Sequence, residues 1–355
     1  MKKNFLISTG GSGGHVIPAI ILHEHLSKDA NIVFSLDKRG LKYIDKNLYS
    51  IEIIDTPKLN NIFFYPFNFI LLFYLTLKSL FILKKRKINE IISTGGYMSL
   101  PLVLAGRLLS LNIYLLEPNQ VMGRANKFYL KSCKKVFCYT NQIKNFPDNF
   151  KYKMVIINPL VKEQIYKLNS PIKNDEKFNI LIVGGSQSAS IFNYKFKEII
   201  VKLVKKKFIK IFHQTNEKNI LHLEEFYSKN DIENKIFSFE KNFDKIVHQV
   251  DLCITRAGAS TLAELSVLNI PFIAVPLPSS KDNHQLENAK FYKNNDCCWI
   301  IEQDNFFEEK IEKCLKDILE KKSDYLNKKN NLKKLNFQNT WINVNQKILK
   351  ILNEN

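Results

Sequence analysis

Three times in this chain a short run of β-forming residues ends in paired glycines: "FLISTGGSGG" (5–14), "IISTGGYMS" (91–99) and "LIVGGSQSA" (181–189). A turn with few Cβ atoms lets backbone N–H groups close on a phosphate, and a helix that follows adds about half a positive charge at its N-terminus. Two of these turns lie in the first half and the third opens the second half. Around them, β-rich runs alternate with longer helical patterns: "NFLIST", "NIVFSLD", "EIIST", "NIYLLE", "KVFCYT", "MVIINP", then "NILIVGG", "FIKIFHQ", "KIFSF", "DLCIT" and "PFIAVPL". Alternation of this kind predicts parallel sheets with helices on both faces, and the near-continuous apolar runs fit strands buried on both sides. The pattern reads as two α/β units joined near "INPLVKE" (157–163), with a cleft between them. All three turns are expected to face that cleft, because open α/β sheets bind ligands beyond the carboxyl ends of their strands.

Composition narrows the partners. The 355 residues suit about two domains. The formal charge is +19, and residues 1–157 hold 22 Lys/Arg against 9 Asp/Glu while the rest hold 31 against 25. A first half at +13 favours an anionic partner, either a phosphate or an acidic membrane face; no recognition motif supports a nucleic acid. Six cysteines without a C-x-x-C pair fit a reduced, cytosolic protein. "MKKNFLIST" runs straight into a glycine turn and lacks the apolar core of a signal peptide. "HEH" (23–25) lacks the i, i+4 histidine spacing of a zinc helix, and His213, His222 and His248 show no evident partner in the sequence. No Asp-x-Asp follows a strand, so a metal-free and cofactor-free site is expected.

The first turn departs from the dinucleotide fingerprint, because Val16 fills the third glycine's slot, and no Walker lysine follows. Asp37, ending the second predicted strand, leaves a nicotinamide oxidoreductase as a distant alternative. Five blocks together say more: "GGSGGHVIPA", "STGGYMSLP", "EPNQVMGRAN", "GGSQSASIFN", and "TRAGASTLAEL" followed by "KDNHQLENA". Their order and spacing, from about Ser8 to Ala289, resemble the MurG family of glycosyltransferase family 28. The resemblance implies a GT-B fold, two Rossmann-like α/β domains facing each other across a cleft. It also implies an inverting transfer of N-acetylglucosamine from UDP-GlcNAc to the undecaprenyl-linked muramyl-pentapeptide, lipid I, giving lipid II for the cell wall. A UDP-sugar transferase of the same fold acting on another glycolipid, such as diacylglycerol, is the alternative.

An inverting transfer needs a base for the acceptor hydroxyl and a stabiliser for the departing UDP. His15 closes the first turn and is the candidate base, since a histidine is neutral and accepting near physiological pH. Capping the helix or donating to a phosphate is its other reading. Acceptor-binding candidates are Gly13, Gly14, His15, Gly95, Gly96, Tyr97, Asn119 and Asn126. By resemblance, the donor falls to Ser12, Gly13, Gly14, Asn119, Gly185, Ser186, Arg256, Ala259, Ser260, Glu264, His284 and Gln285. Glu264 suits the ribose hydroxyls, and Arg256 either faces the nucleotide or braces its turn. Three departures from the family pattern stand out: Ser188 replaces a glycine, Leu160 and Val161 stand where an arginine is usual, with Lys162 a substitute, and Leu116 and Pro118 flank the third block's glutamate.

The stretch "IFFYPFNFILLFYLTLKSLFILKKRK" (62–87) approaches the length of a membrane span. It lies between "IEIID" and "EIIST", which belong in one sheet, so a span would split that sheet across the bilayer. An interfacial segment fits better, with Phe69, Leu72, Phe73 and Leu80 in the leaflet and Lys84, Lys85, Arg86 and Lys87 on anionic headgroups; ordinary buried core is the other reading. The expected partners are UDP-GlcNAc, lipid I, an anionic membrane surface and cell-wall synthesis proteins. The expected location is the cytoplasmic face of the inner membrane, peripherally bound. The expected domains are 1–157 for the acceptor and membrane, 158–335 for UDP-GlcNAc, and a helix in 336–355 returning to the first.

Overall fold

The computed structural model describes residues 2–57, 65–168, 177–184, 191–204, 209–238, 240, 246–305 and 307–354. The chain divides into one unit of Met1–Lys162 with Trp341–Asn355 and a second of Glu163–Thr340. The first holds a parallel seven-stranded sheet: β1 (Lys3–Ser8), β2 (Ala30–Leu36), β3 (Ile51–Ile53), β4 (Glu90–Ser93), β5 (Asn112–Glu117), β6 (Lys135–Cys138) and β7 (Met154–Ile156), in the order β3-β2-β1-β4-β5-β6-β7. The second holds β8 (Phe178–Val183), β9 (Ile209–Gln214), β10 (Glu233–Phe237), β11 (Leu252–Thr255), β12 (Phe272–Ala274) and β13 (Cys298–Ile300), in the order β10-β9-β8-β11-β12-β13. Every pairing is parallel, so the expected α/β class with two Rossmann-like sheets is what the chain adopts. β13 was not anticipated, because three residues of "CCWI" carry too little pattern to read.

Alternation along the strands divides the core of each unit between two faces. In the first, Phe5 and Ile7 pack with Val16, Ala19 and Leu22 of α1 (Gly13–Leu26) and with Val344 and Ile348 of the helix Trp341–Asn353. Leu6 and Ile91 point the other way, onto α2 (Tyr65–Lys85) and α3 (Leu100–Leu108) through Leu75, Ile82, Leu102 and Val103. The C-terminal helix is pinned by Trp341, whose ring stacks on His25 of α1 at 3.6 Å between centroids. In the second unit Ile180 and Ile182 face one layer and Leu181 and Val183 the other.

Strand order positions the functional loops. In the first sheet the chain runs outward from β1 to β3, then returns to place β4 on the other side of β1. Helices leaving β1 and β4 therefore part, and a crevice opens at the carboxyl ends of these two strands. The turns after β1 and β4 are the first two glycine turns. The second sheet reverses in the same way between β8 and β11, so Gly184 at the end of β8 and the "TRAGAS" turn flank its switch point.

Candidate active site

At the first switch point the two glycine turns are stitched together. Thr94 N–H donates to Ser8 O at 3.0 Å, and the Thr94 and Thr9 hydroxyls bond at 2.8 Å. Ser12 stands at the N-cap of α1 without a side-chain cap bond, and its first turn carries no acidic residue. The N-cap residue of α1 is Ser12 rather than His15. The His15 Nδ1 lies 2.7 Å from Thr94 O, and a carbonyl only accepts, so Nδ1 carries the proton of the neutral ring. Nε2 is then the basic nitrogen. Gly95 (φ +93°) passes so close that a Cβ there would sit 3.3 Å from His15 Cε1 and 3.3 Å from Asn126 Nδ2. His15, Gly95 and Asn126 are thus gathered at one point, with Gly96 and Tyr97 continuing the turn.

Asn126 and Asn119 are held by a residue that sequence reasoning passed over. Glu117 ends β5 fully buried, and every group bonded to its carboxylate is a donor. Oε2 accepts from Gly123 N–H at 2.8 Å and Asn126 Nδ2 at 3.0 Å; Oε1 accepts from Asn119 Nδ2 at 3.2 Å and Asn119 N–H at 3.3 Å. Burial raises this carboxyl above the ordinary range, and the four hydrogen bonds offset only part of that rise. Asn126 Nδ2 also donates to Leu116 O at 3.0 Å. The only signal in the sequence was a glutamate closing an apolar strand, with its partners two to nine residues downstream.

Asp37 is buried and fully engaged: Oδ1 accepts from Gly11 N–H at 2.8 Å and Gly40 N–H at 3.0 Å, and Oδ2 takes Arg39 Nε at 2.7 Å. A Cβ on Gly10 (φ +145°) would come within 2.5 Å of Oδ1. The acid that a nicotinamide site would need for a ribose shapes the turn instead, and the oxidoreductase reading loses its one residue.

In the second unit Gly184 is the last described residue of its glycine turn; Gly185, Ser186 and Ser188 lie outside the described residues. After β11, Arg256 braces its surroundings: Nη1 donates to Val275 O at 3.1 Å, Pro276 O at 3.3 Å and Gln303 Oε1, and the guanidinium lies 5.3 Å from the Phe192 ring centroid. Desolvation lowers it to about 10, still charged at neutral pH. Gly258 is the N-cap of the helix Ala259–Val267, which bears Ala259, Ser260 and Glu264. The next helix, His284–Asn294, is tied to this turn by Asn288 Nδ2, 3.1 Å from Ala257 O. Gln285 Oε1 accepts from Leu277 N–H at 3.0 Å, which turns its amide N–H₂ outward as donor; His284 Nδ1 bonds Lys281 O at 2.8 Å, leaving Nε2 as acceptor. All six cysteines are free, and burial raises their thiols, Cys133 to about 11, so none supplies a thiolate nucleophile.

The glycosyltransferase family 28 N-terminal domain matches residues 5–138, and the glycosyltransferase family 28 C-terminal domain matches residues 179–342. The chain belongs to glycosyltransferase family 28. Among its relatives, the UDP-N-acetylglucosamine--N-acetylmuramyl-(pentapeptide) pyrophosphoryl-undecaprenol N-acetylglucosamine transferase of Pelagibacter ubique (strain HTCC1062) is 44% identical over 356 residues, the whole of both chains. The transferase of that name from Rickettsia canadensis (strain McKiel) is 34% identical, covering 90% of this chain and 91% of the relative. Crystal structures of Acinetobacter baumannii MurG (TM-score 0.73, 22% identity, 98% of this chain and 95% of that one) and of a glycosyltransferase from Rickettsia africae ESF-5 (TM-score 0.67, 15% identity, 100% of each) share the fold.

Two of the departures from the family 28 pattern lie among the described residues. Leu160 and Val161, standing where an arginine is usual, are both buried, and Leu160 packs among the residues around α1. Leu116 is buried in the same core, and of the side chains at 116–118 the glutamate's alone is polar. Two histidines gain partners: His213 Nδ1 meets Tyr227 OH at 3.2 Å, and His222 Nε2 meets Lys197 Nζ at 3.4 Å. The apolar stretch forms α2, whose segment Phe67–Lys85 is long and apolar enough to cross a membrane. The strands on either side of it, β3 and β4, belong to one sheet, and one face of α2 covers that sheet. The other face leaves Phe67, Phe69, Ile70, Phe73, Tyr74, Leu77 and Phe81 exposed. Leu72 is half-buried, and Leu80 packs against the core rather than standing on that face. Lys84, Lys85, Arg86 and Lys87 are exposed at its end, with Arg86 paired to Glu52 at 2.7 Å.

Proposed function

We propose that this chain transfers N-acetylglucosamine from UDP-GlcNAc to undecaprenyl-pyrophosphoryl-MurNAc-pentapeptide, lipid I, giving lipid II with inversion at the sugar's anomeric carbon. The observation that carries this reading is the 44% identity, over the full length of both chains, to a transferase named for that reaction. In one in-line displacement the acceptor oxygen bonds to the anomeric carbon as the bond from that carbon to UDP breaks. The electron pair leaves on UDP, and the acceptor's proton goes to His15 Nε2. The bond from Nδ1 to Thr94 O supports this role, because it fixes the tautomer with the lone pair on Nε2 and persists in the imidazolium. Donation to a phosphate would instead need a proton on both ring nitrogens.

Acceptor recognition falls to the turns at the β1/β4 switch point and to Asn119 and Asn126; Gly185, Ser186, Arg256, Ala259, Ser260, Glu264, His284 and Gln285 serve UDP-GlcNAc. Backbone donors and a helix N-terminus aimed at the leaving diphosphate would stabilise its developing charge without reorganisation. The exposed rings of α2, ending in four cations, support peripheral docking on the anionic face of the inner membrane, where a polyprenyl acceptor resides. The test is incubation of the purified protein with UDP-GlcNAc and either lipid I or diacylglycerol, with the product's linkage read by NMR. A β-linked disaccharide from lipid I alone is expected; an α linkage, or transfer to diacylglycerol only, would overturn the reading.

A further inference from the structure

The loop after β2 carries a cation, Arg39, that the reaction above leaves without a role. Arg39 Nε donates to Asp37 Oδ2 at 2.7 Å, and Nη2 reaches the same oxygen at 2.5 Å and Tyr97 OH at 2.5 Å. The guanidinium carbon lies 5.3 Å from the Tyr97 ring centroid. Through Asp37, which accepts from Gly11 N–H, the same fork is fastened to the first glycine turn; through Tyr97 it is fastened to the second. One rigid cation therefore bridges both turns at the β1/β4 switch point.

Its outer edge is free. The side chain is 40% exposed, and the N–H groups of Nη1 have no protein partner among the described residues. A Cβ on Gly11 would lie 3.7 Å from Nη2, so the fork stands beside the turn where a side chain is missing. Asp37's single charge is spread over two backbone N–H groups as well as Arg39, and the adjacent start of α1 has no acidic residue in its first turn. The two N–H groups of Nη1 diverge, and on a permanent cation held beside the first glycine turn each can donate to an oxygen of a diphosphate.

We propose that Arg39 is a further acceptor-binding residue, taking the diphosphate of the lipid-linked acceptor on its Nη1 edge, with Asp37 and Tyr97 as the positioning residues that hold it. The inference rests on the transferase reading, which gives the diphosphate of UDP to the other unit. The test is steady-state kinetics of the full chain as wild type, Arg39→Gln and Arg39→Lys, with lipid I and with a muramyl acceptor whose diphosphate is replaced by a neutral linker. Arg39→Gln is expected to raise KM for lipid I at least tenfold, with KM for UDP-GlcNAc within twofold and Tm within a few degrees. Arg39→Lys should recover part of the loss, and on the neutral-linked acceptor all three proteins should converge. An unchanged KM for lipid I, an equal loss on the neutral-linked acceptor, or a fall in Tm with both KM values raised would overturn the assignment. Failure of the wild type to use lipid I at all would instead overturn the reading beneath it.

Discussion

Replacing Glu117 by glutamine keeps the shape of the side chain and takes away one acceptor oxygen. In the native protein each oxygen accepts two hydrogen bonds, one pair from Gly123 and Asn126, the other from Asn119. An amide oxygen can serve one pair only, and its N–H₂ group must then face the other two donors in a fully buried place. Hydrogen bonds to a charged group contribute about 1.5–3 kcal/mol each, so losing two predicts a cost of about 3–6 kcal/mol to the first unit. For a unit of this size that corresponds to a Tm lower by roughly 6 °C or more. Asn126 keeps its bond to Leu116 O but competes with Asn119 for the one remaining acceptor oxygen, so KM for lipid I should rise several-fold while KM for UDP-GlcNAc holds. Calorimetry and two-substrate kinetics on Glu117→Gln make the check. A Tm within 2 °C of wild type, together with unchanged KM for lipid I, would refute the idea that this carboxylate organises the acceptor loop.

Gly95→Ala places a Cβ against His15 and Asn126 at a backbone angle that costs side-chain-bearing residues about 1–3 kcal/mol. Turnover should fall roughly 10–100-fold as the ring shifts, with UDP-GlcNAc binding by calorimetry unaffected; full activity would contradict the packing. Burial holds His213 at about 3 against 6.5 for an exposed histidine. Above pH 6.5 both states are neutral; below it only the unfolded chain gains the proton, so stability is lost progressively from pH 6.5 toward 3, about 2 kcal/mol by pH 5. In denaturation at pH 7 and 5, His213→Leu/Tyr227→Phe should lose about that much less than wild type, and an identical slope would contradict this. On vesicles rich in anionic lipid, replacing Lys84, Lys85 and Lys87 by glutamine should weaken binding roughly a hundredfold, from about fivefold per lysine. Unchanged partition would remove α2 from the membrane role.

The strands were legible because both faces of these parallel sheets are buried, so "FLIS" and "ILIV" read as continuous apolar runs. The glycine turns were legible for a related reason, since Gly10 and Gly95 must approach side chains that a Cβ would strike. What stayed hidden was long-range. Nothing near Glu117 announces that its oxygens collect Gly123 and Asn126, and nothing near Arg39 announces Tyr97, 58 positions away. The missing arginine at Leu160 and Val161 was readable as a departure, whereas its replacement by core packing needed three dimensions. For α2, periodicity left surface, core and span open; the structure gives one face to the sheet and leaves the other exposed. Of the third glycine turn, residues 185–190 lie outside the described residues.

In the proposed transfer His15 removes the acceptor's proton, and His15→Asn isolates that role. The asparagine amide can still donate to Thr94 O, so the turn keeps its bond while the basic nitrogen disappears. The decisive measurement is kcat of this variant with UDP-GlcNAc and lipid I across pH 5–9. A fall of roughly 10²–10⁴, with both KM values and Tm near wild type, is the predicted result. Turnover within threefold of wild type, with the same pH profile, would contradict it.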